Sequence, residues 1–207
     1  MLTGLIRPTA GTAAICGYDI KDQGLQAKAL TGLMPDTPYL YDTLTGRQYV
    51  RFIADLYEIP SQRSERRMAE LLEMLDLVDG GDELIKSYSY GMQKKILLTA
   101  VLVHEPRVLF LDEPTSGLDP KSARTVKEIL RLLCDRGCTV FMSTHILEIA
   151  ERVCDRIGII NEGKLVTVGT MDELRQDNTA VDRNLEEIFL ELTGDGEDRE
   201  MVKILSE

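Results

Sequence analysis

Residues 109–113 read Leu-Phe-Leu-Asp-Glu. Apolar residues running into two adjacent carboxylates set an acidic pair at the carboxyl end of a buried strand, where open α/β sheets bind ligands. Asp112 and Glu113 repel one another there unless a cation or a proton intervenes, and Mg²⁺ is the natural cation. The second carboxylate can polarise an attacking water. Taken alone, the pair is equally a strand end with two solvated acids. It does not stand alone, because PTSGLDP, residues 114–120, follows directly. A second apolar run, Thr139 to Met142, leads into Ser143-Thr144-His145 and so puts an imidazole at another strand mouth. Upstream, Tyr88-Ser89-Tyr90-Gly91-Met92-Gln93 opens an apolar helix. A hydroxyl, a glycine backbone and free helix N–H groups together make an anion site. Lys94 and Lys95 either add charge to that site or lie on a solvated helix face.

The elements that must position these groups follow from periodicity. Thr12 to Ile20 reads as a short strand and Leu30 to Pro35 as a second apolar segment ending in a loop. Thr45 with Gln48 three residues later forms a capping-box pattern, and Val50, Ile53, Leu56 and Tyr57 recur near helical period. Met68, Leu71, Leu72 and Leu75 repeat at i, i+3, i+4, i+7. The helix opened by Ser89 is apolar nearly all round from Ile96 to Val103, so it is expected to be buried. Val108 to Leu111 and Thr139 to Met142 read as buried parallel strands. Asp119-Pro120 starts the helix between them and Gly137 ends it. A helix from Ile146, a hairpin around Asn161-Glu162-Gly163-Lys164 and an amphipathic helix through Leu185, Ile188, Phe189 and Leu192 complete the chain. Strands alternating with helices over short connections mean an α/β domain with a largely parallel sheet. The helical block at 43–104 reads as an insertion into it. Leu2, Leu5 and Ile6 look like the tail of a helix, stopped by Pro8 and Gly11.

Composition bounds the function. The chain has 207 residues, with 24 basic and 35 acidic side chains, a net of -11. An acidic balance argues against a general nucleic-acid binder. Hydrophobic residues are 43% and charged residues 29%, the fractions of a soluble globular protein rather than a disordered one. No apolar run approaches the roughly 20 residues of a membrane helix, and the N-terminus does not read as a signal peptide. Residues 170–207 hold 12 acidic and 4 basic residues and read as a solvated acidic extension. Cys16, Cys134, Cys138 and Cys154 are too few for a disulfide scaffold, and His104 and His145 have no metal-ligand spacing.

At these residues the chain resembles the ATP-binding cassette (ABC) ATPases. LFLDEP is similar to their Walker B segment, which implies Asp112 as the Mg²⁺ carboxylate and Glu113 as the catalytic base. SGLD, Ser116 to Asp119, matches the D-loop, and His145 matches the switch histidine that contacts the γ-phosphate. SYGMQ, Ser89 to Gln93, matches the signature loop, with Tyr90 and Met92 in place of its usual Gly and Gln. The flanks LTGLIRPTAG and RIGIINEGKLVTVGT also fit. YSYGMQKK and LEEIFLELTG look most like the cassettes of ABC-2 type exporters, which move drugs, lipids, antibiotics or polysaccharides outward.

The resemblance implies one ABC ATPase domain over 1–207, a P-loop NTPase-like parallel sheet with an inserted helical subdomain, using ATP and Mg²⁺. It implies a second cassette docked head to tail, with Ser89 and Gly91 acting in trans and Asp119 at the seam. It also implies a separate permease at the inner face of the membrane, with Tyr39, Leu40 and Tyr41 either as docking residues or as ordinary packing. Asp36 stands in the loop where the family usually has Gln, so it is expected to contact water, nucleotide or Mg²⁺ but cannot donate as Gln does. No G-x-x-x-x-G-K-[ST] occurs in the chain. The expectation is that Met1 falls inside the helix after that loop, so that the loop and a central strand are missing. The alternative is a non-catalytic cassette that only offers its signature loop to an intact partner. A soluble ABC protein of translation or DNA repair would show the same site.

Overall fold

A computed structural model of the chain describes residues 1–177 and 183–194. It divides into two units, 1–143 and 144–207, which are taken separately.

In the first unit the opening residues are not helical. Gly4 N–H donates to the Met1 carbonyl at 2.9 Å, closing one turn, and Leu5 and Ile6 stay exposed. So short a piece cannot offset the cost of helix nucleation. The single strand expected over 12–20 is instead a hairpin, β1 (Ala14–Ile15) with β2 (Tyr18–Asp19). Cys16 and Gly17 between them both have positive φ, 51° and 89°, the tight turn that suits two twisted strands. A short helix α1 (Gly24–Ala29), without apolar period in the sequence, leads into β3 (Thr31–Met34).

Helices follow. In α2 (Gly46–Leu56) the Thr45 hydroxyl accepts from Gln48 N–H at 3.2 Å, and the Gln48 side chain accepts from Thr45 N–H at 2.9 Å. The Thr45→Ala substitution breaks this reciprocal pair and should cost about 1 kcal/mol. The expected readout is a lower urea midpoint at unchanged slope, and an unmoved midpoint would mean the box does not hold the helix. Helix α3 (Ser61–Met74) buries Met68, Leu71 and Leu72, and α4 (Tyr90–Leu102) is buried along nearly its whole length.

The chain then returns as β4 (Val108–Asp112), α5 (Pro120–Asp135) and β5 (Thr139–Ser143). The sheet runs β3-β4-β5, all parallel, with Leu33 beside Phe110 and Phe110 beside Phe141. Leu109 and Leu111 point into a core shared with Leu97, Leu98 and Val101 of α4 and Val126, Ile129 and Leu130 of α5. A second cluster, around Tyr49, Val50, Met68, Leu72, Tyr88 and Ile96, joins the helices to one another. One expectation fails: β5 is not a buried strand. Val140 and Met142 pack on the core, but Phe141 is 58% exposed. An apolar run does not say how many neighbours a strand has, and among the described residues β5 pairs only with β4.

The second unit holds α6 (Leu147–Val153), the hairpin β6 (Ile157–Asn161) and β7 (Lys164–Gly169), α7 (Met171–Asp177) and α8 (Leu185–Thr193). Ile157, Ile159, Leu174, Leu185 and Ile188 form its core. Arg175 ties its end together, donating to the Arg183 carbonyl at 3.0 Å and to Glu151 at 2.9 Å. Much of the acidic extension, 178–182 and 195–207, lies outside the described residues.

Candidate functional site

Strand β4 is paired on both sides, and its last residue, Asp112, lies beside Ser143 of β5. The Ser143 hydroxyl donates to Asp112 Oδ1 at 2.6 Å. That bond orients an exposed carboxylate. Glu113 leaves the strand with φ 46°, a left-handed conformation that costs a non-glycine residue about 1–2 kcal/mol. Surrounding bonds hold it there. Its N–H donates to the Ser143 carbonyl at 3.0 Å, and its own carbonyl accepts from Ser116 N–H at 3.2 Å and from Lys94 Nζ at 2.6 Å.

The turn after Glu113 is shaped by Gly117, whose φ is 71° and where an added Cβ would lie 2.5 Å from the Tyr90 ring. Asp119 then caps α5, accepting from Ser122 N–H at 3.0 Å and from the Ser122 hydroxyl. The hydroxyl bond first, and the backbone bond second, hold its carboxyl below the usual range. Asp119 therefore has a local task, starting a helix, alongside the seam role that the resemblance implies.

The other half of the site is the start of α4. Tyr88 is buried, and its hydroxyl donates to the Gly80 carbonyl at 2.5 Å. Gly46 makes room for it, since a Cβ there would lie 2.3 Å from the Tyr88 oxygen. Anchored so, the chain emerges as exposed Ser89, whose hydroxyl accepts from Met92 N–H at 3.3 Å. Gln93 N–H makes the first helical bond, to the Ser89 carbonyl. The amides of Tyr90 and Gly91 precede it and have no partner within the helix, and the nearest atom to a Cβ added at Gly91 is 3.8 Å away. The Met92 side chain packs on the second core cluster, so it can offer a ligand only backbone.

Asp36, in the loop after β3, is held twice from α4. Tyr90 Oη donates to its carbonyl at 3.0 Å and Lys94 Nζ to its Oδ1 at 3.1 Å. Lys94 is 1% exposed, not on a solvated helix face. The signal was present in the sequence: Lys94 precedes Leu97, Leu98 and Val101 by three, four and seven positions, which puts it on their face. The Asp36 carboxylate is matched to an ammonium, whereas that of Asp112 is oriented by a hydroxyl. Among the described residues no three His, Cys, Asp or Glu side chains gather into a metal cage. One oriented carboxylate fits Mg²⁺, which takes one or two carboxylates and completes its shell with water and substrate phosphates.

His145, exposed, lies in the second unit, where Ile146 N–H donates to Thr144 Oγ1 at 3.1 Å just ahead of α6. Of the expected docking residues, Tyr39 is 80% and Tyr41 55% exposed, while Leu40 packs against both core clusters of the first unit. His104 stacks on Tyr57 with ring centroids 3.7 Å apart and so belongs to packing.

A family model described as ABC transporter matches residues 1–116. The chain is 38% identical over 84% of its length to a daunorubicin resistance ATP-binding protein of Streptomyces coeruleorubidus, covering 55% of that protein. It is 35% identical over 84% of its length to a linearmycin resistance ATP-binding protein of Bacillus subtilis, covering 56% of that protein. The chain thus spans about half the length of the curated relatives it matches. A solved structure of an ATP-binding subunit of an ABC transporter superposes with a TM-score of 0.88 at 31% identity, covering 93% of this chain and 80% of that one.

Proposed function

The chain belongs to the ABC transporter family, and on that premise we propose that it is the ATP-binding and ATP-hydrolysing part of an exporter cassette. The observation that carries this reading is the acid pair on β4, one carboxylate oriented by Ser143 and the next residue pinned in a left-handed turn. Glu113 takes the proton of the attacking water. Asp112 holds Mg²⁺, which when bound neutralises phosphate charge. Ser89 and the first amides of α4 close over the γ-phosphate of a nucleotide held by a second cassette, and Asp119 lies at the seam between the two. His145 contacts the γ-phosphate of the nucleotide served by its own cassette, not the one that Ser89 reaches. Dimer closure is passed through the loop at Asp36 and the helical subdomain, 43–104, to a separate permease, with Tyr39 and Tyr41 as contacts. The chain then sits at the inner membrane face, and no helix among the described residues is long and apolar enough to cross a membrane. The names of the relatives support drug-like cargo.

A second reading has the chain offering only its Ser89 face to an intact partner. It rests on the Ser89 face, where an exposed helix start offers a hydroxyl and amides.

Both readings are tested at Ser89, which caps α4 and also faces the ligand. Ser89→Asp keeps the cap, since Asp accepts from Met92 N–H as well as Ser does. It should nevertheless abolish ATP-driven pairing with a cassette that carries the phosphate-binding loop, because two anions would meet. Sedimentation velocity with and without ATP reads the result. Pairing that survives Ser89→Asp would sink the trans role, and hydrolysis by the 207-residue chain alone would exclude the second reading.

A further inference from the structure

Lys94 is the least exposed charged side chain among the described residues that also reaches the acid pair, at 1% exposure. Its ammonium makes two contacts of different kinds, 3.1 Å to the Asp36 carboxylate and 2.6 Å to the Glu113 carbonyl. Burying an ammonium is costly unless it is paired and hydrogen-bonded, so neither contact is incidental. The ring of Tyr90 lies one helical turn earlier, its centroid 5.4 Å from the same nitrogen, while the Tyr90 hydroxyl holds the Asp36 backbone. Tyr90 in turn fills the space over Gly117.

We propose that Lys94 is a positioning residue that ties the loop bearing Asp36 to the backbone of Glu113 and thereby sets where the Glu113 carboxylate points. The Glu113 N–H is fixed by β5, and its carbonyl is shared between Ser116 and Lys94. Rotation of that peptide would change ψ of Glu113, and φ 46° leaves a residue with a Cβ little room to absorb the change, so the Cα and its side chain would shift. Lys94 adds to Ser116 in resisting that rotation, and its ammonium is steadied by Asp36 from the other side. Displacing the Asp36 loop therefore loosens Glu113 without touching it. The inference rests on the reading of Glu113 as the base.

The test has two arms. In the 207-residue chain, amide hydrogen exchange is compared between wild type and Lys94→Met, an apolar chain of similar length. The expected result is exchange about tenfold faster at Glu113 and Ser116, with α2 and α5 unchanged, because the opening is local. In a form that carries a phosphate-binding loop ahead of Met1, kcat should fall about 100-fold, the size of effect a small misplacement produces, with KM for ATP little moved. Faster exchange throughout the chain, or a normal kcat, would overturn the proposal. Where Lys94→Met gives too little folded chain, Lys94→Gln, which keeps a donor and loses the charge, decides. Selective loosening around Asp36 and Glu113 supports the tie, and unchanged or uniformly faster exchange refutes it. The two failures are separable: if Glu113→Gln hydrolyses ATP normally the base reading falls, whereas the exchange arm judges Lys94 alone.

Discussion

Glu113→Gln should lower ATP turnover about 10²–10⁴-fold, the range of a positioned general base, and leave nucleotide affinity close to wild type. The protein used carries a G-x-x-x-x-G-K-[ST] loop ahead of Met1. Gln has the shape of Glu and tolerates the same left-handed backbone equally well, and the bonds to Ser143, Ser116 and Lys94 are all made by main-chain atoms of residue 113. The substitution therefore removes basicity and leaves those main-chain bonds in place. Hydrolysis blocked after binding should leave the ATP-bound pair of cassettes standing, seen as a stable dimer in sedimentation. Phosphate release at the wild-type rate would show that the proton goes elsewhere.

Asp112→Ala should behave differently. A metal ligand acts in the ground state as well as during reaction, so Mg²⁺-dependent ATP affinity and rate should both fall. Even partners that only orient a ligand cost about 10–100-fold in metal affinity, so the loss at Asp112 should be at least that, and Ser143→Ala should show a smaller loss of the same kind. Calorimetric titration with ATP in Mg²⁺ and in chelator isolates the metal's share. Asp36→Asn should leave that share where it was, since the Asp36 carboxylate is matched to Lys94. A change in rate with no change in Mg²⁺ dependence would mean that Asp112 is not the metal's carboxylate.

Much of this was legible in the sequence where local signals are strong. The capping box at Thr45, the Asp119-Pro120 helix start and the hairpin at Glu162-Gly163 each depend on residues within a turn of one another. The structure forms all three. The acid pair was legible because an apolar run ending in Asp-Glu is itself a local pattern. What escaped was set by contacts far apart in the chain. The bond from Ser143 to Asp112 requires knowing that β5 lies beside β4 in one register. The burial of Lys94 requires knowing that one face of α4 meets the loop after β3, although its helical spacing hinted at it. The helix α1 has too few apolar residues for a period to show. The exposure of Phe141 depends on what pairs with β5, which a strand's own residues do not state.

That last feature has mechanical weight. Among the described residues strand β5 is held from one side, yet its final residue supplies both the hydroxyl that aims Asp112 and the carbonyl that pins Glu113. Strands slip in whole residues, and each single step exchanges the two faces. One step between β4 and β5 would take Ser143 from both acids at once and turn Phe141 toward the core. The seating of this edge is thus all or none: in register the Asp112 carboxylate and the Glu113 backbone are both held, and out of register neither is. An open edge is also a template on which another strand can lay itself down.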